Sequence, residues 1–297
     1  CRVNPFTMPR RLIAALCSVT LLSLGWLGFS GLTLLIAFVP LLWISDSYDD
    51  SRRSWWKVFG WALLTFVLWN AATIWWIWNA TWVGPFAATL ASSTLNMIAF
   101  MLFHTVSKKA HKPLAYTLLV AGWIATEYWY TVGEFSFPWL ILGNGFSESP
   151  WAVQWYEFTG VFGGSLWVLV TNILVFEAWK RRRRATAVTA AAALLPMAVS
   201  VVMYLTYKPA KESIRVSVVQ PNVDCYDKFH GDVDRQVRNL LDLIEQAPGG
   251  VDFIAMPETA LTEYLYEPAI TAAPVVDSIA RLLLHTNPDA AVVTGAN

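Results

Sequence analysis

Charge is what this sequence has least of. Lys, Arg, Asp and Glu together make 14% of its 297 residues against 56% hydrophobic, the net charge is zero, and the mean hydropathy is +0.45. That balance excludes an ordinary soluble globular chain and reads as a membrane protein. Cysteine is also scarce: Cys1, Cys17 and Cys225 form neither a disulfide framework nor a metal-binding spacing. The four histidines, His104, His111, His230 and His285, are scattered, so they read as packed or solvated side chains, and no metal site is expected. No basic stripe marks the hydrophilic part, which argues against nucleic acid as a partner. Tryptophan is missing from the last third, since all 17 lie at or before Trp179. Trp favours the membrane–water boundary, so the first two thirds read as membrane and the remainder as something else.

Apolar segments fall near 12–44, 55–79, 84–107, 112–131, 160–179 and 185–207, each long enough to cross a hydrocarbon core of about 30 Å. The first is long enough for two spans, and its Gly- and Ser-rich middle, "GWLGFSG", offers a turn, giving spans near 12–26 and 30–45. Seven spans result. The charges check this count: Arg2, Arg10 and Arg11 precede span one, Arg52, Arg53 and Lys57 follow span two, Lys108, Lys109 and Lys112 follow span four, and Lys180 with Arg181 to Arg184 follows span six. The alternate connections, 27–29, 80–83 and 132–159, contain no Lys or Arg. The positive-inside rule then places the N-terminus in the cytoplasm and residue 208 onward outside. Span one alone could be read as a cleaved signal sequence, but the spans that follow argue for a retained helix. "KRRRR" could bind lipid or nucleic acid; in a short loop between spans it reads as a topology signal.

The outside connection 131–160 is long, aromatic and free of positive charge. Trp139, Trp151, Trp155 and Tyr156, with the apolar "FPWLIL", suggest a piece lying at or re-entering the outer face, either as an aromatic belt or as a wall for a lipid-shaped substrate. Gly160 and Gly164 imitate a phosphate loop, but no lysine follows, so they read as a close-packing helix face.

From 208 the pattern changes. "SIRVSVVQPN" alternates like a strand. "DVDRQVRNLLDLIEQA" places Val233, Val237, Leu240, Leu241 and Ile244 on one helix face, stopped by "PGG". The strand "VDFIAMPE", a helix in "APVVDSIARLLLHT" and the strand "AAVVTGAN" complete an α/β layer arrangement. Pro257 cannot extend a central ladder, so Glu258 is delivered at a strand's carboxyl end, where functional groups collect in such sheets.

"VVQPNVDCYDKF", followed about 30 residues later by "DFIAMPETAL", resembles the opening of the nitrilase-type carbon–nitrogen hydrolase fold. With seven spans, "FPWLILGN" and "VQWYEFTGVFGGS", nearly the whole chain resembles the bacterial apolipoprotein N-acyltransferases. The resemblance implies a membrane-helical domain over 1–207 and the N-terminal part of a nitrilase-like α/β sandwich over 208–297. It implies a Glu–Lys–Cys triad with Glu258 as the glutamate and a cysteine thioester intermediate. A phospholipid would be the acyl donor and the N-terminal amine of a diacylglyceryl-cysteine lipoprotein the acceptor. It further implies an enzyme working as a monomer in the inner membrane, with no cofactor. The lysine and nucleophile would lie beyond Asn297, so the chain reads as an N-terminal fragment, inactive alone. Trp139 is the expected substrate-binding residue. Where family members carry an arginine ahead of the FPW segment, "EYWYTVGEFSFPW" has Tyr130 instead. Cys225 falls in the loop after the first strand, where the family has no nucleophile, and reads as an incidental thiol.

A thiol attacking an ester, and then an amine attacking the thioester, needs a base that takes and returns protons. A desolvated glutamate can have its pKa raised enough for that. The bland alternative is a solvated glutamate near a strand end, as Glu263 is expected to be. Competing readings of the chain are a membrane-tethered amidase of the same fold and a transporter or receptor, for which Glu127 would be the deep acid and Glu177 a second near a basic end.

Overall fold

The computed structural model describes residues 7–134, 136–181, 186–228, 231–262, 265 and 267–295. Contacts divide the chain into two compact units, Cys1–Tyr207 and Lys208–Asn297.

The first unit is helical: α1 (Thr7–Ser23), α2 (Leu34–Ala37), α3 (Val39–Asp46), α4 (Arg52–Ile74), α5 (Gly84–Lys109), α6 (Lys112–Val132), α7 (Tyr156–Arg181) and α8 (Thr186–Thr206). Four helical stretches among the described residues, Arg52–Asn79, Gly84–Lys109, Tyr156–Lys180 and Thr186–Thr206, are long and apolar enough to cross a membrane. α1 and α6 pack among them with the shorter apolar stretch Gly31–Asp46. Starts are set locally. Ser51 caps α4 by accepting from Ser54 N at 3.2 Å, and Pro85 and Pro113 occupy the first turns of α5 and α6, where the missing N–H is harmless.

The stretch read as one helix over 30–45 is broken. A 3-10 turn, Gly31–Thr33, leads into α2, and α2 passes to α3 at Phe38. Pro40 has no N–H to donate to Ile36, which interrupts the ladder. Asn172 of α7 repairs the break: its Oδ1 accepts from Phe38 N at 2.7 Å and its Nδ2 donates to Leu34 O at 2.7 Å.

Basic groups from separate stretches of sequence gather at one end of this unit. The Arg11 guanidinium lies 3.9 Å from the centre of the Tyr48 ring, and Lys108 Nζ donates to Tyr48 O at 2.7 Å. Asp46 pairs with Lys180 at 2.6 Å and Lys112 at 3.5 Å. Partial burial pushes the Asp46 pKa up, but the Lys180 hydrogen bond and the charges of Lys180, Lys112 and Lys108 outweigh it and hold the carboxyl below its ordinary value. At the other end, Trp26 Nε1 donates to Trp139 O at 3.0 Å and the Trp76 and Trp139 rings meet edge-on at 5.3 Å.

The second unit alternates β1 (Val216–Val218), α9 (Val233–Glu245), β2 (Phe253–Ala255), α10 (Pro274–Thr286) and β3 (Ala291–Val293). The strands are parallel in the order β1-β2-β3, with Ser217, Ile254 and Val292 in register. Right-handed crossovers in that order put both helices on one face. There Leu240, Ile244, Ile279 and Leu283 pack with Ile254 and Val292. The opposite face is open: Val216, Val218 and Val293 are 46%, 77% and 55% exposed.

Candidate functional site

At the carboxyl end of β2 the chain leaves the sheet through Met256 and Pro257 and turns at Glu258, whose side chain is exposed. Ala260 N donates to Pro257 O at 3.2 Å, which closes the turn. Continuing from β3, Gly295 presses its backbone onto the same turn, with Gly295 N donating to Pro257 O and Leu261 N to Gly295 O, each at 3.4 Å. A Cβ on Gly295 would overlap the Glu258 carbonyl oxygen, so this approach requires glycine. The position of Glu258 is thereby fixed by two strand ends.

Beside it lies a cavity of about 260 Å3 lined by Pro257, Thr259 and Ala260 on one side and by the residues after β1, Gln220 to Val223, with Lys228, on the other. Lys228 Nζ donates to Thr259 Oγ1, joining the two loops next to Glu258. Gln236 of α9 braces the Lys228 loop through its Nε2, which donates to the carbonyls of Asp227 at 3.4 Å and Lys228 at 3.3 Å. Asn222 supplies the left-handed residue of the turn, with φ 51°. Cys225 is exposed in the turn 225–228. Glu263 and His230 lie outside the described residues.

In the helical unit, residues 138–146 fold into short 3-10 turns. Trp139 is 55% exposed, while Leu142 and Phe146 are buried. Gly143 meets α7 closely enough that a Cβ on either Gly143 or Gly164 would collide, with Val161 O and with the Tyr156 hydroxyl respectively. Gly164 therefore packs as its spacing predicts. Gly160 does not: it takes φ +62° with open space around its missing Cβ, and makes a kink at the start of α7 instead of a packing face. Glu127, weighed above as a transporter's acid, is 3% exposed, and its Oε1 accepts from Trp123 Nε1 at 3.0 Å and Leu142 N at 2.8 Å. Glu177 accepts from Tyr116 OH at 2.6 Å. His104 is packed, its Nδ1 2.8 Å from Ser45 Oγ. Among the described residues no His, Cys, Asp and Glu group could hold a metal.

Sequence reading missed Lys228, Thr259 and Gly295 as parts of the Glu258 surroundings. Gly295 carried a signal, a glycine directly after a β-branched strand; the Lys228–Thr259 bond joins residues 31 positions apart and carried none.

A helical unit with four stretches long and apolar enough to cross a membrane, followed by a parallel α/β unit with a carboxylate just past a strand's carboxyl end, fits a membrane protein. The sequence profile described as Apolipoprotein N-acyltransferase N-terminal domain matches residues 17–174, more than half of the chain, and the chain belongs to that family. It is similar to the apolipoprotein N-acyltransferase of Chlorobaculum tepidum, 27% identical over 268 residues, covering 85% of this chain and 48% of the relative. That of Gloeobacter violaceus is 28% identical over 259 residues, covering 82% and 42%. The chain thus spans about half the length of the curated relatives it matches.

Proposed function

We propose that this chain is the N-terminal part of an N-acyltransferase that moves a fatty acyl chain from a phospholipid to the N-terminal amine of a diacylglyceryl-cysteine lipoprotein. The observation that carries the reading is the family match across the helical unit; Glu258 at the strand ends supplies the chemistry. Glu258 acts as the base, with a lysine and a nucleophilic cysteine contributed by later strands. It takes the thiol proton as sulfur attacks the ester carbonyl. It returns that proton to the departing alcohol as the C–O bond breaks, leaving a thioester. It then deprotonates the incoming ammonium; nitrogen attacks, the C–S bond breaks, and the second nitrogen proton goes to the thiolate. Trp139, exposed on the 138–146 segment, contacts the donor lipid.

The open sheet face fits a nitrilase-like sandwich in which a second sheet covers Val216, Val218 and Val293. The clustering of Arg11, Lys108, Lys112 and Lys180 at one end supports seven spans with that end cytoplasmic and the second unit periplasmic, in the inner membrane. In a background cleared of native cysteines, a Pro150→Cys probe should be labelled from outside and an Ala110→Cys probe should not; labelling at 110 in intact cells contradicts the topology.

The functional test is turnover. The protein, expressed with its downstream coding sequence, is given phospholipid with a labelled acyl chain and a diacylglyceryl peptide. Labelled amide at the peptide N-terminus is expected. Released fatty acid without amide would point to an amidase, and no turnover by correctly inserted protein would overturn the reading.

A further inference from the structure

Glu127 is a buried carboxylate in the last two turns of the apolar helix α6, and desolvating it costs several kcal/mol. Packing alone would be served better by leucine. Two hydrogen bonds converge on Oε1, from the Trp123 indole one turn back and from Leu142 N, and the Ser165 hydroxyl lies against the same carboxylate. The Leu142 N–H opens the 142–146 turn, and Leu142 is fully buried, so losing its acceptor would leave that donor unsatisfied.

Other bonds hold the same short segment. Gly143 N donates to Ser165 Oγ at 3.1 Å, Tyr156 OH donates to Gly143 O at 2.9 Å, and Trp26 Nε1 donates to Trp139 O at 3.0 Å. Asn144 Nδ2 ties back to Pro138 O at 2.8 Å. The backbone that presents Trp139 is therefore suspended from α6, α7 and the turn after α1, and Glu127 provides the α6 attachment.

We infer that Glu127 is a positioning residue that fixes the 138–146 segment, and with it Trp139, for binding of the acyl-donor lipid. The inference rests on the proposed role of Trp139. Glu127 touches no reacting atom: it acts through Leu142, and its loss should weaken donor binding while leaving the chemical step in place.

The test is steady-state kinetics of the protein expressed with its downstream coding sequence, normalised to correctly inserted enzyme, with phospholipid varied. Glu127→Leu leaves Leu142 N and the Trp123 indole unpaired and should raise KM for phospholipid about tenfold, with kcat changed less than about threefold. Glu127→Gln keeps the accepting oxygen and should restore KM to within about threefold of wild type. Should Glu127→Leu fail to insert, Tyr156→Phe removes one clamp on Gly143 without leaving a charge and should raise KM about threefold. A fall in kcat at unchanged KM, a Gln variant as impaired as the Leu variant, or an unshifted KM in Tyr156→Phe would each overturn the inference. Failure of the wider reading is separate, because it would show as no amide formation by the correctly inserted wild-type protein, before any Glu127 variant is compared.

Discussion

The outward faces of the two units carry the same kinds of residue for opposite reasons. On α8, Leu194, Leu195, Val202 and Leu205 are 59%, 64%, 60% and 76% exposed, and on the sheet Val216, Val218 and Val293 are 46%, 77% and 55% exposed. A helix satisfies its own backbone, so an α8 facing lipid has nothing unfulfilled. A three-stranded sheet covered on one face only presents apolar side chains to water and two unpaired edges besides. Exposure of valine leaves no backbone group unpaired on the helix, whereas the sheet face is the one proposed above to be covered. The buried polar groups, by contrast, do the same work in both units. In the helical unit Asn172, Glu127 and Ser165 mend backbone N–H groups that breaks and turns leave open. In the α/β unit Asn287, 2% exposed, fastens the loop before β2 by accepting from Gly250 N at 2.7 Å.

The largest effect is expected at Gly295: Gly295→Val drives a side chain into the Glu258 backbone and should destabilise the second unit by about 3 kcal/mol or more. Protease resistance of residues 208 onward measures it, and a wild-type digestion pattern would contradict the close approach. Next is Val218→Asp. In the 297-residue chain it should be nearly neutral, whereas in protein carrying the downstream sequence it should cost about 2–4 kcal/mol, because there the face is proposed to be covered. Equal effects in both would remove the sandwich. Asn172→Leu leaves Phe38 N and Leu34 O unpaired at the α2–α3 break and should cost about 1–3 kcal/mol in detergent unfolding. An unchanged unfolding curve would show that the break is satisfied by other means.

The smallest effect is at Asp49, ahead of α4. Hydrogen bonds from the Ser51 hydroxyl, the Ser54 hydroxyl and the Ser51 N–H hold its carboxyl down to about 2 from an ordinary 3.8. A depressed folded-state pKa contributes stability that is complete above the unfolded value and lost as pH falls through about 2. The stability difference between wild type and Asp49→Asn should therefore hold from neutral pH to about 4 and shrink below it. A difference that vanishes already at pH 5 would contradict those bonds.

Much of this was legible in the sequence, for reasons that differ by element. The strands at 216–218, 253–255 and 291–293 and the helices at 233–245 and 274–286 form where alternation and helical periodicity place them, because each pattern is local. The turn after α1 followed from its glycines. The break at Phe38 did not, although Pro40 was visible, because what makes it tolerable is Asn172, 134 residues away. Likewise Glu127 read as an isolated acid because its second partner, Leu142 N, is a backbone group with no sequence signature. Glu258 was placed correctly at the strand end, since Pro257 announces it; the Gly295 backbone that fixes its turn arrives from another strand.

The most direct measurement is Glu258→Gln in protein carrying the downstream sequence. Gln keeps the size and most hydrogen bonding but removes the base, so thioester formation from phospholipid and acyl transfer to the diacylglyceryl peptide should both fall about 10²-fold or more. A stable, correctly inserted Glu258→Gln protein that forms the acyl-enzyme and the amide at near wild-type rates would show the carboxylate to be structural, and would contradict the account.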